Sequence, residues 1–215
     1  MPRRSTPARA TLALMALVLV LVPGVSRLNQ ARAQEATQGT PKLQAESWAL
    51  TDADTGLYLA GKNPDERLPI ASTTNVMTAL VALDEGVDLD EEVTVPKEAE
   101  RFVGFTYSNV GLIAGERLSV RDLLVAALVP SGTDAVYTLA KYLGDGSVQR
   151  FVQKMNAKAH SMGLKNTHFE DPAGLDARGH YSSARDLAAI TRAAMEYPVF
   201  EEIVQMKEAT IKTQT

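Results

Sequence analysis

Across residues 76–83, VMTALVAL, the only polar side chain is Thr78. A helix that is apolar on nearly every side has no face to give to water. It must therefore lie in the middle of a fold that surrounds it. Asp84-Glu85-Gly86 follows, with the glycine in the stop position, and Pro69-Ile70-Ala71-Ser72 leads in. Everything else in the chain has to supply a shell for this segment.

The shell is legible as a series of elements. Residues 47–51 alternate polar and apolar, Asp52-Ala53-Asp54-Thr55-Gly56 is turn chemistry, and residues 57–60 make the return strand of a hairpin. A second largely apolar helix is expected over residues 120–129, with Ser119 as its cap and Asp122 at the third position. Pro130 stops it, and Ser131-Gly132-Thr133 forms a short loop before a helix over residues 134–143. Residues 148–160 are amphipathic, with Phe151, Val152 and Met155 on one side. Ser183 and Asp186 repeat the capping pattern before a helix that ends ahead of Pro198. The long loop over residues 166–182 is rich in Gly, Pro and Asp, and loops of that length in compact domains tend to be functional.

The N-terminus differs in kind. Residues 1–33 contain Arg3, Arg4, Arg9, Arg27 and Arg32 and no acid, with an apolar run over residues 12–22 and Ala31-Arg32-Ala33 ahead of Gln34. Basic start, apolar centre and small-residue site are the layout of a secretory signal peptide, with a retained anchor as the alternative. The apolar run is shorter than the roughly 20 residues a span needs, so cleavage before Gln34 is expected. Residues 34–42 then read as a linker and 43–215 as one domain, with no later segment long and apolar enough to span a membrane. Hydrophobic residues at 45% and charged residues at 22% describe an ordinary globular chain. With Cys at 0, disulfide scaffolds, Cys-ligated metal centres and cysteine nucleophiles are excluded, and a net charge of −4 argues against a nucleic-acid binder.

Three stretches then occur in a telling order. Pro69-Ile70-Ala71-Ser72-Thr73-Thr74-Asn75-Val76-Met77-Thr78 resembles the nucleophile segment of the serine-type D-alanyl-D-alanine carboxypeptidases, the low-molecular-mass penicillin-binding proteins. Pro130-Ser131-Gly132-Thr133-Asp134-Ala135 resembles their second motif, Ser-Gly-Asn. Gly163-Leu164-Lys165-Asn166-Thr167-His168-Phe169, with Gly174-Leu175-Asp176 and His180-Tyr181-Ser182-Ser183-Ala184-Arg185-Asp186-Leu187, resembles the stretch that follows their helical subdomain. The similarity runs over residues 43–211. It implies the α/β (α+β) penicillin-recognising fold: an antiparallel sheet flanked by helices, with an all-helical subdomain.

The resemblance also implies acyl transfer through a serine ester on peptidoglycan stem peptides ending in D-Ala-D-Ala, with release of the terminal D-Ala. β-Lactams are the implied inhibitors, and no metal or other cofactor is called for. Ser72 is the implied nucleophile, Ser131 the proton relay, and Gly132 and Thr133 the substrate-binding positions. The family's lysine at i+3 would take the hydroxyl proton, with its pKa brought down from roughly 10.4 by burial.

Two positions depart from the pattern. Asn75 stands where the base lysine belongs, and a carboxamide cannot accept the proton near neutral pH. Loss of general-base help costs about 10²–10⁴ in rate. Thr133 stands where the second motif has asparagine. Ile211-Lys212-Thr213-Gln214-Thr215 is read as an ordinary polar strand end rather than the family's third motif, Lys-Thr-Gly, since Gln214 adds a side chain where backbone must approach substrate. The expectation is thus a family member lacking its last strands and closing helix. As an enzyme it is an exported carboxypeptidase of doubtful activity; the alternative is an inactive peptidoglycan-binding or truncated pseudoenzyme. His160, His168 and His180 are expected as loop and surface residues, Asp171 and Asp176 as turn-stabilising carboxylates, and Tyr137 and Tyr142 as packing residues.

Overall fold

A computed structural model of the protein describes residues 43–214. The signal-peptide reading of residues 1–33 and the linker reading of residues 34–42 lie outside the described residues. Strand β1 (Trp48–Thr51) pairs antiparallel with β2 (Tyr58–Lys62). The turn between them is closed by Asp52, whose Oδ1 accepts from the Thr55 N–H at 2.8 Å and the Thr55 hydroxyl at 2.6 Å. Leu50 faces Ala60 but Thr51 faces Tyr58, so Leu59 is the extra residue of a bulge. The return strand consequently ends later than the alternation suggests. A second small sheet pairs β3 (Glu92–Thr94) with β4 (Arg117–Ser119), and Gln214 joins it by a two-bond bridge to Arg117.

Helix α1 (Asn75–Asp84) is the expected central helix. Met77, Ala79, Leu80, Val81, Ala82 and Leu83 are all buried, and Gly86 closes the segment at φ +66°. Its one polar exception has a reason: the Thr78 hydroxyl donates to the Pro172 carbonyl at 2.7 Å and ties the helix to the long loop. Around α1 pack α2 (Val120–Leu128), α3 (Thr133–Leu143), α4 (Val148–Ser161) and α5 (Ala184–Met195), the last of which also covers β1. Ser119, Ser147 and Ser183 each accept from the backbone N–H three residues on. A further short helix, α6 (Pro198–Val204), buries Phe200 and Ile203; the sequence reading stopped at its first residue.

The long loop is tied down rather than slack. Leu68 and Ser182 exchange backbone hydrogen bonds, as do His168 and Tyr181. The Asn156 side chain accepts from Phe169 N–H at 2.9 Å and donates to its carbonyl at 2.8 Å. Among the described residues the hairpin sheet has two strands with α5 on one face, whereas Leu50, Leu57 and Leu59 remain exposed.

Candidate active site

Ser72 does not begin the α-helix. It sits exposed in a 3-10 turn, Ala71–Thr74, and α1 starts at Asn75. The cause is Ala71, whose φ of +45° is in the left-handed region that an L side chain rarely adopts. Long-range contacts hold it there. The Thr74 hydroxyl donates to the Ala71 carbonyl at 2.7 Å, and the backbone of Gly174 presses on the same carbonyl. A Cβ built on Gly174 would lie 1.8 Å from that oxygen, and Gly174 itself has φ +83°. Gly174→Ala is therefore expected to push the turn aside and lower stability by about 2–4 kcal/mol, from left-handed strain plus overpacking. Chemical denaturation of the two chains measures it.

Asn75 is buried at 4% exposure. Its Nδ2 donates to the Ala127 carbonyl at 3.0 Å and to Ser131 Oγ at 3.2 Å. The i+3 position of the first motif and the serine of the second thus meet, from chain positions 56 residues apart. The Asn75 Oδ1 is buried and has no hydrogen-bond partner among the described residues. Among the described residues its only hydrogen-bond partners are thus a backbone carbonyl and a hydroxyl, with no carboxylate or ammonium among them.

The second motif is pinned by backbone. Ser131 has φ +61°, Gly132 N–H donates to the Ala126 carbonyl at 2.8 Å, and Thr133 N–H donates to the Ser108 carbonyl at 2.8 Å. Gly132 has no room for a side chain, since a Cβ there would lie 2.8 Å from the Ala126 oxygen. Thr133 is buried. Beneath it, the fully buried Asp134 accepts from the backbone N–H groups of Val110, Leu112 and Ala135 at 3.0–3.2 Å. That carboxylate folds the segment before β4 against the second motif.

Several contributing residues escape a reading of the sequence. His180 is buried, at 7% exposure, which corrects its assignment to the surface. Its Nδ1 accepts from the Glu170 N–H at 3.1 Å, so the proton is on Nε2, which faces the Thr74 hydroxyl at 2.9 Å. Burial pushes its pKa down. Asp171 does stabilise its turn, accepting from Ala173 and Leu175 N–H through Oδ1, but its Oδ2 also takes a hydrogen bond from the buried Tyr137 hydroxyl. Burial, reinforced by that carboxylate, raises the pKa of Tyr137 well above the usual phenol range. Only the position of His180 just before a strand-pairing, helix-capping Tyr181-Ser182-Ser183 run hinted at any of this. Among the described residues no group of three His, Asp or Glu side chains converges on a point.

A cavity of about 400 Å³ opens beside the turn, lined by Ile70, Ala71, Gly174, Asp176, Arg178 and His180. A larger one, about 630 Å³, lies between the hairpin and α5–α6, near Thr51, Arg192 and Glu201, and touches none of the motif residues. The smaller adjoins Ala71, the residue before Ser72, and the buried His180.

A family model described as D-alanyl-D-alanine carboxypeptidase matches residues 33–215. The carboxypeptidase DacF of Bacillus subtilis (strain 168) is 40% identical over 158 residues, 72% of this chain and 40% of that protein. The carboxypeptidase DacB2 of Mycobacterium tuberculosis H37Rv is 42% identical over 168 residues, 76% of this chain and 55% of that protein. The chain thus spans about half the length of these relatives. Among solved structures, a point variant of the Streptomyces K15 DD-transpeptidase superposes with a TM-score of 0.78 at 38% identity, over 82% of this chain and 70% of the other. The fold is therefore the α/β penicillin-recognising one.

Proposed function

The chain belongs to the D-alanyl-D-alanine carboxypeptidase family, and from that premise we propose that it recognises peptidoglycan stem peptides ending in D-Ala-D-Ala through Ser72, with turnover held far below a normal member's by the carboxamide at position 75. The observation that carries this reading is the 3.2 Å contact between Asn75 Nδ2 and Ser131 Oγ. It puts the two motifs in register and leaves a group without a titratable site where the base belongs.

In the reaction so read, the Ser72 hydroxyl attacks the carbonyl of the penultimate D-Ala and forms an ester, and terminal D-Ala leaves as the amine. Two protons must move: one off Ser72, one onto the leaving nitrogen. Ser131 can relay the second. It accepts a hydrogen bond from Asn75, which leaves its own proton free to donate. Asn75 can hold Ser131 but cannot take the first proton. Thr133, buried behind the motif, offers a hydroxyl where a longer carboxamide would reach substrate. Peptide binding with turnover far below a normal member's follows, and β-lactams, which need the same first step, acylate slowly. The basic, apolar and Ala31-Arg32-Ala33 layout supports export to the cell-wall side of the membrane.

The test is two measurements on one preparation: binding of a D-Ala-D-Ala peptide by calorimetry, and D-alanine released over time. Saturable binding with release near background is expected. Release at the rate of an ordinary carboxypeptidase would overturn the impaired-turnover reading, and absence of binding would overturn the recognition.

A further inference from the structure

We propose that His180 is a positioning residue for Ser72, its neutral imidazole tying the long loop to the turn that carries the nucleophile. The inference rests on Ser72 being that nucleophile. The imidazole is used at both nitrogens. Nδ1 accepts from Glu170 N–H at 3.1 Å, and Nε2–H faces the Thr74 hydroxyl at 2.9 Å. That hydroxyl in turn donates to the Ala71 carbonyl at 2.7 Å. The chain of bonds therefore ends on the residue before Ser72, the one whose backbone is left-handed. The Phe169 ring meets the imidazole edge-on, with centroids 5.8 Å apart, so the ring is fixed by packing as well.

Only the neutral Nε2–H tautomer fits. A second proton would go on Nδ1 and oppose the Glu170 N–H, breaking the loop's end of the tie. Among the described residues, the charged and titratable groups that act on the imidazole are on the loop. Asp171, Glu170 and Asp176 favour the cation, while His168 and burial oppose it, burial being the largest influence. Arg178 lines the same cavity, and the turn itself contributes no ionisable group. On acidification the imidazolium is drawn toward those carboxylates and away from Thr74. The sign follows. With the folded pKa below the unfolded value of about 6.5, the tie is complete above that pH and is lost as pH falls through the folded value.

The chain has no cysteine, so Ser72→Cys gives a single thiol that reports on the turn. Its rate of modification by dithiodipyridine, which reacts across the acid range, is followed from pH 4 to 8. Below the His180 pKa the rate is expected to rise about tenfold above the thiol's own pH trend, the equivalent of one lost hydrogen bond. With His180→Gln, which keeps an uncharged donor, the extra rise disappears and the neutral-pH rate is held; with His180→Ala the rate is fast throughout. A rise that survives in His180→Gln, or a slow His180→Ala, would overturn the proposal. Nitrogen-15 NMR of the unmodified chain is a second test independent of variants: an Nδ1–H tautomer at neutral pH would also overturn it. Neither readout uses peptide or penicillin, so failure here leaves the functional reading to its own test.

Discussion

Asn75→Lys speeds acylation of Ser72 by penicillin about 10²–10⁴-fold, compared in two chains that both continue into a family Lys-Thr-Gly segment. The position is already buried and already bonded to Ser131, so an ammonium placed there has the right neighbour. Burial at 4% exposure lowers its pKa, which turns it from a cation into a base near neutral pH. The same burial has a measurable cost. A lysine whose folded pKa lies below the unfolded value of about 10.4 destabilises most at low pH, so the variant should gain stability relative to the Asn75 chain as pH rises from 6 to 10. Intact mass after timed exposure to penicillin reads the first effect and urea unfolding at several pH values the second. Equal acylation rates in the two chains would show that another group takes the proton.

The largest expected effect on folding is at Asp134. Replacing it with Ala leaves the backbone N–H groups of Val110 and Leu112 without their acceptor beneath the second motif, at roughly 1–3 kcal/mol each. Asp134→Ala should therefore cost about 3–5 kcal/mol in urea unfolding, and hydrogen exchange at Val110 and Leu112 should accelerate while α4 stays protected. Asp134→Asn, which keeps an acceptor oxygen, should lose less. A loss under about 1 kcal/mol for the alanine variant would mean that the carboxylate is not what holds the segment.

What could be read in the sequence is what is written locally. The apolar run of α1, the serine caps of α2 and α5, and the stop at Gly86 are set by near neighbours, and the structure has them within a residue or two. The two motifs could be recognised as wording, and Asn75 could be named as a departure. That Asn75 would bridge to Ala127 and Ser131 could not, because its partners are 52 and 56 residues away. The same holds for Ala71, whose left-handed turn packs against Gly174, and for His180, whose ring packs edge-on against Phe169. The bulge at Leu59 came from pairing register, which alternation alone does not encode.

The hydrogen bond from Asn75 to the Ala127 carbonyl has a genetic consequence. Both lysine codons become asparagine codons by one third-base transversion, so the step from an ordinary first motif to this one is the smallest a gene can take. The carboxamide still bridges α1 to the end of α2, so this contact of the fold is in place without the lysine. Position 75 lets folding and chemistry be inherited separately, and a reverse transversion would be enough to reinstate the lysine.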